Sequence, residues 1–346
     1  MSTLDQPLLV ANSNYHVGQQ TSIRSAEEQG FFREEGFTNY IYDCRGLVPG
    51  PFEREALALV MEEQGVDIAT AVDVGSVLHQ RAQGADLYIV GGWRYSPNLK
   101  FFGAKHVTSL EKLRGGTIGI REAGSLQHIL LGNALRHAGI DPVNEVTWVY
   151  DSVFSYGNDP RHLDMIRSGK VDALSSQPPF TQQLESEGYP VLLDPLQLYP
   201  GGKPDKVIVA TGRTVEQRTA ELTAFLKGNL RGFWFMRDNA NYDYLRDLES
   251  RLRQKSHNDQ ERTVRIITSI EKVEGWTVPA DGGVSPDALR RVVQESVELG
   301  ELERELLVPD VLRDAPVKAA YRELSARPEL QPIQQTIAAA VQKYGF

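Results

Sequence analysis

The chain has 346 residues, of which 41% are hydrophobic, and a formal net charge of −9 at pH 7. Its length exceeds what a single compact core usually holds, so two lobes are expected. The acidic balance provides no surplus of Lys and Arg to release phosphate counterions, which argues against a nucleic-acid or anionic-membrane partner. No apolar run approaches the roughly 18 residues that a membrane-spanning helix needs, so no membrane insertion is predicted.

The N-terminal segment, residues 1–7, is polar and has neither the basic start nor the apolar core of a secretory signal peptide. As the chain reads, a cytoplasmic location is expected, and a periplasmic one applies if a leader has been removed. The single cysteine, Cys44, excludes an internal disulfide but does not indicate a compartment.

Short apolar runs alternate with helical patterns in the first part of the chain, which implies a parallel sheet with right-handed crossovers. The predicted strands are residues 8–11, 39–42, 66–72 and 85–90, and the predicted helices are residues 22–29, 53–63 and 77–81. The pair Gly91-Gly92 is expected to end the fourth strand.

A second α/β unit follows, and the strand pattern then gives way to helices. Its predicted strands are residues 117–120, 146–150, 171–174, 191–193 and 207–210, and its predicted helices are residues 127–137, 160–167 and 180–187. Thr108 and Thr214 are predicted to begin helices as capping boxes. Long helices are expected over residues 216–237 and 241–254, and a further helix is expected to begin at Ser285-Pro286.

Three stretches of the chain resemble type II periplasmic binding proteins: AEEQGFFREEGF (26–37), SLEKLRGGTIGIREAGS (109–125) and VDALSSQPPFTQQLESEGYPVLLD (171–194). Within these proteins the chain resembles the branch named after the yeast thiamine-pyrimidine synthase. That branch includes binding components of transporters for sulfonates, riboflavin and pyrimidine precursors, and also enzymes such as an aromatic desulfinase. The resemblance carries information on the fold and little on the ligand.

The resemblance implies an α/β fold of two lobes around a cleft, with C-terminal helices. Lobe one is predicted to hold residues 1–97 together with 211–346, and lobe two residues 98–210. Lobes of this kind close over a ligand by hinge motion.

The loops after the first and third strands supply the candidate ligand residues of lobe one, because ligands of open parallel sheets bind beyond the carboxyl ends of the strands. The resemblance implies Asn14 and His16 as ligand contacts, with Tyr15 as an aromatic wall between them. Asp73 and Ser76 follow the third strand, where a carboxylate disfavours an anion and favours an amine, hydroxyl or heterocyclic N–H. The alternatives are that His16 only caps the following helix or binds backbone, and that Asp73 is solvated or forms a cap. Ser76 can cap the next helix, donate to a ligand, or do both.

Trp93 and Arg94 follow the predicted end of the fourth strand. Trp93 is suited to stack on a ligand, and Arg94 to pair with a carboxylate or sulfonate. The alternative is that Arg94 bridges the lobes and Trp93 packs in the hinge.

Lobe two offers a second set of candidates at the ends of its strands. Gly124 and Ser125 open a helix whose free N–H groups and dipole suit an anion or carbonyl group. Alternatively, Ser125 is a plain N-cap. The other candidates provide hydrogen-bond donors or acceptors; they are Arg121, Asp151, Ser176 and Gln177.

Several chemistries are missing from the sequence. It contains no Walker-type phosphate loop, no Gly-x-Ser-x-Gly, no His-Glu-x-x-His and no pair of cysteines for zinc, so no metal and no cofactor is predicted. The cysteine-rich run of the yeast synthase is absent, and no arginine lies where the resemblance implies the catalytic arginine of the desulfinase.

Three functions remain open. The first is a substrate-binding component of an ABC-type uptake system, with a permease as partner and an aromatic, heterocyclic or sulfonate-like ligand in the cleft. The alternative is a cytoplasmic lyase, such as a decarboxylase or desulfinase for an aromatic substrate, with His16, Cys44 and Asp73 as catalytic candidates. The third is a cytoplasmic ligand sensor.

Overall fold

The computed structural model describes residues 6–13, 17–43, 45–48, 53–95, 99–154, 160–176, 180–195, 203–253 and 280–344. Five predicted site residues lie outside these ranges: Asn14, Tyr15, His16, Cys44 and Gln177.

The strands form two mixed sheets. They are β1 (Leu8–Asn12), β2 (Tyr40–Asp43), β3 (Ile68–Asp73), β4 (Leu87–Tyr95), β5 (Lys100–Gly103), β6 (Thr117–Ile120), β7 (Thr147–Tyr150), β8 (Ala173–Ser176), β9 (Val191–Leu193) and β10 (Pro204–Thr211). The first sheet has the order β2-β1-β3-β10-β4 and the second the order β7-β6-β8-β5-β9.

The prediction of parallel sheets is only partly correct. β1, β2 and β3 run parallel, and so do β6, β7 and β8. β10, however, lies antiparallel between β3 and β4, and β5 lies antiparallel between β8 and β9. The reason is long-range: β10 returns from the second sheet and enters the first one from the opposite direction.

The helices cover the sheets and make up most of the C-terminal part of the chain. They are α1 (Val17–Glu28), α2 (Phe31–Glu34), α3 (Glu53–Gln64), α4 (Val74–Ala82), α5 (Leu126–His137), α6 (Arg161–Arg167), α7 (Phe180–Ser186), α8 (Gly212–Gln217), α9 (Thr219–Arg237), α10 (Tyr242–Arg253), α11 (Pro286–Glu298), α12 (Val308–Val311), α13 (Ala315–Ser325) and α14 (Gln331–Tyr344). None of the helices in the described ranges is long and apolar enough to cross a membrane.

Helix starts show which capping predictions hold. Ser285 accepts a hydrogen bond from the Ala288 N–H at 3.3 Å, so the predicted start of α11 is confirmed. Thr214 is not a cap, because Thr211 takes that role and accepts from the Thr214 N–H. Thr108 is not a cap either, since the short 3-10 helix Leu110–Leu113 begins after Ser109.

Gly91 and Gly92 do not end β4, which continues through Tyr95. The Gly92 N–H donates to the Gly282 carbonyl oxygen at 2.8 Å, and a Cβ atom at position 92 would overlap the Gly283 carbonyl oxygen. The glycines therefore admit a second chain segment against the strand, which is a common reason for glycine inside a strand.

The two largest apolar clusters of the described residues stabilise the fold. One packs aromatic rings of lobe one against α9, with Phe32 stacked on Phe225 at 5.7 Å between ring centroids. The other cluster includes Leu57 and Leu78 beside the first sheet, Ile118 in the second sheet and Val293 in α11. Because this cluster includes residues beside both sheets, burial of apolar surface stabilises the lobes against each other.

Sheet membership divides the chain between Tyr95 and Lys100 and again between Leu193 and Pro204. The predicted first boundary, at residue 97, falls in the first interval. The predicted second boundary, at residue 210, falls inside β10, which pairs with β3 and β4 of the first sheet. We therefore propose that lobe two ends before Pro204.

Candidate functional site

The two lobes meet where the carboxyl ends of their parallel strands face one another. A Cβ atom on Gly75, in the first turn of α4, would overlap the carbonyl oxygen of Gly124, which lies in the turn before α5. The amino end of β10 reaches the same edge, since Lys206 pairs in register with Asp73 at the end of β3. Edges of this kind are where open α/β sheets bind ligands.

A β-bulge sets the direction of the last residues of β3. Val72 and Ala69 pair with Val207 and Val209 of β10, so two residues of β3 oppose one of β10. Within this bulge the buried Ala71 has a φ of 58°. Such a conformation costs a non-glycine residue about 1–2 kcal/mol and often occurs next to functional sites, where a bulge re-aims the following side chain.

Five charged side chains gather at this edge and form what we call the cleft cluster: Glu53, Asp73, Arg121, Glu122 and Lys206. Each is at most 9% exposed. Asp73 Oδ2 lies 3.6 Å from Lys206 Nζ and 3.8 Å from Arg121 Nη2. Lys206 Nζ lies 3.9 Å from Glu53 Oε1, and Arg121 contacts Glu122 directly. The cluster joins lobe one to lobe two through Asp73 and Arg121.

Two oxygens of the cleft cluster lack hydrogen-bond partners among the described residues: Asp73 Oδ2 and Glu122 Oε2. Asp73 uses its other oxygen, Oδ1, to accept from the Ser76 N–H at 3.2 Å as the N-cap of α4. The distances from Oδ2 to Lys206 and Arg121 are too long for direct hydrogen bonds. A buried polar atom without a partner is costly, so these two oxygens are candidate contacts for a ligand.

Burial raises the pKa of Glu122 to about 7. Arg121 opposes this change, whereas the negative charges of Asp73 and Glu53 add to it. Glu122 can therefore gain or lose a proton near neutral pH.

Arg94 forms a buried ion pair with Asp205, at the two strands that lead into and out of lobe two. Nearby, Lys203 pairs with Glu295 of α11. Arg94 and Asp205 both lie in the first sheet, so their pair joins β4 to β10 within lobe one. A bridge between the lobes through Arg94 and its contact with a ligand both stay predictions.

Trp93 lies on the face of β4 that is covered by α9, not in a loop. Its ring packs edge-to-face on Phe233 at 5.0 Å between ring centroids, and its indole N–H has no hydrogen-bond partner in the described parts of the chain. Packing in the core is therefore its observed role, and stacking on a ligand stays a prediction.

The predicted ligand residues of lobe two differ in the hydrogen bonds that their polar groups already make within the protein. Ser125 caps α5, accepting from the His128 N–H at 3.4 Å and donating to the Glu122 carbonyl at 2.8 Å. Ser176, at the end of β8, lies 3.0 Å from Nε2 of the buried His162. Asp151 is exposed and accepts from the Val153 N–H. Their ligand contacts stay predictions, like that of Gly124.

A second set of charges also holds the lobes together. Arg54 of α3 lies 2.8 Å from Glu301 Oε2 and donates to the Ala123 carbonyl in lobe two at 3.1 Å. Glu301 Oε1 in turn lies 2.6 Å from His128 Nδ1 on α5. Leu299 packs against Gly132 of α5, where a Cβ atom would leave too little room. The segment after α11 therefore contacts lobe two as well as α3.

Sequence reasoning missed Glu53, Glu122 and Lys206. Glu53 is the first residue of α3, twenty positions before Asp73, and nothing near it in the sequence indicates their contact. Lys206 carried a usable signal, because Asp205-Lys206 places two charges directly before an apolar strand at the return to lobe one. Glu122 adjoins the predicted Arg121.

A cavity of about 620 Å³ lies elsewhere, at the opposite edge of the first sheet. It is lined by α3 and by residues such as Asp67, Leu87 and Arg213. Its buried carboxylate, Asp67, is already bonded to Arg213 at 2.9 Å and to the Leu9 N–H at 3.0 Å. We therefore place the candidate site at the cleft cluster. Within the described residues, no group of three His, Cys, Asp or Glu side chains has the arrangement of a metal site.

Comparisons with known proteins agree with this architecture. The model of the NMT1-like family matches residues 49–248, which is more than half of the 346 residues. No curated protein sequence matches the chain significantly.

Solved structures match over nearly the whole chain. The periplasmic nitrate-binding protein NrtA from Synechocystis PCC 6803 has a TM-score of 0.66 at 13% identity, covering 95% of this chain and 90% of that one. The alkanesulfonate-binding protein SsuA from Xanthomonas axonopodis pv. citri, bound to MOPS, has a TM-score of 0.60 at 17% identity, covering 89% and 98%. A mutant of the desulfurization enzyme DszB, with biphenyl-2-sulfinic acid, has a TM-score of 0.60 at 16% identity, covering 92% and 99%.

At such low identities these likenesses show the fold alone. They confirm the predicted α/β architecture, the two-lobed fold of type II periplasmic binding proteins.

Proposed function

The chain belongs to the NMT1-like family, and from this membership and the geometry of the cleft we propose that it binds a small organic molecule between its lobes, as the substrate-binding component of an ABC-type uptake system. One observation carries the proposal. Buried polar groups from both lobes converge at the cleft edge, and two of their carboxyl oxygens lack hydrogen-bond partners among the described residues. Convergent polar groups at an interlobe crevice are the usual feature of a small-molecule site.

The fold relatives support the transport role. The solved neighbours with this architecture include proteins named as nitrate-binding, as alkanesulfonate-binding and as the ligand-binding component of an ABC-type import system. On this proposal the partner is a permease, and the protein works outside the cytoplasmic membrane, where the permease collects the ligand.

A lyase acting on an aromatic substrate is the second candidate. A desulfurization enzyme shares the fold, and Glu122 has the pKa near 7 that suits a general acid or base. Asp73 lies in the same cleft cluster and is the predicted catalytic residue that the structure describes. Turnover of a bound molecule would favour this candidate over transport.

A thermal-shift screen of aromatic acids, sulfonates, pyrimidines and amines tests the proposal. A ligand at 100 times its Kd adds about 2.7 kcal/mol of stability, which gives a clear shift in Tm. Arg121→Gln should weaken binding of the best ligand at least about tenfold, which is about 1.4 kcal/mol. Arg304→Gln, at an exposed residue, is the matched control and should bind like the parent.

The same screen can overturn the proposal. Absence of any shift across the panel would contradict ligand binding in the cleft. Mass spectrometry of each ligand after incubation separates the two candidates, because a transport component returns its ligand unchanged.

A further inference from the structure

The buried His128 of lobe two lies between two groups that compete for one of its ring nitrogens. Nδ1 accepts a hydrogen bond from the Gly124 N–H at 3.0 Å, and the same atom lies 2.6 Å from Glu301 Oε1. The bond from Gly124 needs Nδ1 without a hydrogen, whereas an ionised Glu301 needs a hydrogen on Nδ1. The two hydrogen bonds therefore exclude each other, and the protonation state of His128 determines which one forms.

The two competing contacts have different structural consequences. The bond from Gly124 lies within lobe two, because Gly124 belongs to the turn before α5. The contact with Glu301 joins α5 to the segment after α11. Arg54 of α3 holds this segment to lobe one, since it lies 2.8 Å from Glu301 Oε2 and donates to the Glu301 carbonyl oxygen at 3.1 Å. Of the two contacts, only the one with Glu301 ties the lobes together.

Within this group of side chains, His128 is the one suited to change its charge near neutral pH. Histidine gains or loses its proton between about pH 5 and 8, whereas the guanidinium group of Arg54 stays charged. Burial opposes ionisation of Glu301, but the hydrogen bond from His128 and the charge of Arg54 outweigh it and lower the pKa of Glu301. Glu301 is therefore an ionised acceptor that waits for a hydrogen on Nδ1.

Four further titratable groups surround the pair. Burial raises the pKa of Tyr150 in β7, whose ring lies 5.9 Å from that of His128, to about 12, so Tyr150 stays neutral. Burial and the charge of Arg54 lower the pKa of His79 in α4, which lies 3.7 Å from the exposed Glu55. Glu122, before α5, has a pKa of about 7 and changes charge in the same range. A comparison that alters Glu301 alone leaves these four groups in place.

We propose that Glu301 and His128 form a pH-sensitive latch between the lobes. When His128 is protonated, Nδ1–H donates to Glu301 and holds lobe two against the segment after α11; hydrogen bonds between charged groups are roughly twice as strong as neutral ones. When Nδ1 loses its proton to solvent, the remaining hydrogen lies on Nε2 and Nδ1 accepts from Gly124. The buried Gly124 N–H favours this tautomer, because an unpaired buried donor is costly. The bare Nδ1 then repels Glu301 Oε1, so a rise in pH opens the lobes.

NMR of the protein labelled with ¹⁵N-histidine tests where the hydrogen lies. Long-range proton–nitrogen correlations distinguish a ring with hydrogens on both nitrogens from each neutral tautomer, and the signals of His128 are those that disappear in His128→Asn. We expect hydrogens on both nitrogens at pH 5.5 and a hydrogen on Nε2 alone at pH 8.

Small-angle scattering of the ligand-free protein tests the consequence for the lobes. The radius of gyration of the parent should be larger at pH 8 than at pH 5.5. Glu301→Gln removes the carboxylate, keeps an oxygen for Arg54 and should lose most of this change. Glu303→Gln, at an exposed residue of the same segment, is the matched control and should change with pH as the parent does.

Two results would overturn the latch. One is a hydrogen on Nδ1 of His128 at both pH values. The other is a radius of gyration that does not depend on pH, or that depends on it equally in the parent and in Glu301→Gln. The NMR measurement needs no variant at position 301, so it decides the question even where circular dichroism and Tm show that Glu301→Gln is poorly folded. None of these measurements uses a ligand, so failure of the latch leaves the proposed function untouched.

Discussion

Two buried carboxylates of this molecule, Glu35 and Asp73, differ in how closely the described cations approach them. In lobe one, Glu35 lies 2.6 Å from Arg327, 2.7 Å from Arg231 and 3.4 Å from Lys227. In the cleft, the nearest described cation to Asp73 Oδ2 is Lys206 Nζ, at 3.6 Å, followed by Arg121 Nη2 at 3.8 Å.

The difference indicates different roles. The Glu35 cluster ties α2 to α9 and to the segment after α13, and short hydrogen bonds use both oxygens of Glu35. Burial opposes ionisation there, but hydrogen bonds from Arg327 and Arg231 outweigh it and lower the pKa of Glu35. In the cleft, burial prevails and raises the pKa of Glu122. Both oxygens of Glu35 are therefore used in holding the fold together, whereas Asp73 and Glu122 each keep one oxygen without a hydrogen bond among the described residues, as the proposed ligand site requires.

Glu35→Gln should give the largest effect on stability, a loss of about 3 kcal/mol in the free energy of unfolding, because breaking a buried ion pair leaves uncompensated charge. Urea denaturation measures it. Glu34→Gln is the matched control, since this exposed neighbour makes one ion pair with Arg231, and it should cost less than about 1 kcal/mol. Equal losses of unfolding free energy in the two variants would contradict the claim that the buried Glu35 pairs stabilise the fold more than the exposed Glu34 pair.

Glu122→Gln should change how stability depends on pH, by about 2 kcal/mol between pH 5 and pH 8. Since folding raises the pKa of Glu122 from 4.5 to about 7, the native state holds this proton more tightly, and stability falls as pH rises through that window. The Glu122→Gln variant lacks this loss of stability, so its free energy of unfolding rises relative to that of the parent towards pH 8.

Unfolding in urea at pH 5, 6.5 and 8 measures this difference. Glu63→Gln, at an exposed residue of α3, is the control, and its free energy of unfolding should differ from that of the parent by the same amount at all three pH values. A constant offset for Glu122→Gln as well would show that the cleft does not perturb this carboxyl group.

Gly75→Ala should separate the cleft cluster without disturbing the Glu35 cluster. Alanine favours a helix over glycine, so α4 is kept, but its methyl group overlaps the Gly124 carbonyl and holds the lobes apart. We expect ligand binding to weaken about tenfold, or about 1.4 kcal/mol, and small-angle scattering to report a larger radius of gyration. Gln83→Ala at the end of the same helix is the control. An unchanged radius and affinity would mean that the lobes need not meet at Gly75.

Local sequence patterns predicted the helices and strands well. They failed where contacts with distant segments determine where a strand ends or which strand it pairs with. The strand predicted over residues 191–193 is β9, and most other elements were placed within a few residues. The prediction ended β4 too early, at Gly91-Gly92, because nothing in the local sequence shows that Gly282 and Gly283 pack against these two glycines. The position of β10 was missed for the same reason, since its pairing depends on the return of the chain.

Only part of the candidate site was predicted from the sequence. Asp73 was chosen because it follows a predicted strand, and Arg121 because it precedes the turn at Gly124-Ser125. The structure brings the two side chains together. Their partners Glu53 and Lys206 come from a helix start and from an antiparallel strand. No periodicity marks such positions, because their proximity follows from the packing of distant segments.

The insertion of β10 between β3 and β4 also affects how the protein is made. The first sheet is incomplete until residue 211 has left the ribosome, although β4 ends at residue 95. At ordinary rates of translation this interval lasts on the order of ten seconds. During that time β3 and β4 have open edges that can pair with other nascent chains. A cell that produces this protein must therefore keep a half-built sheet from aggregating before lobe one can close.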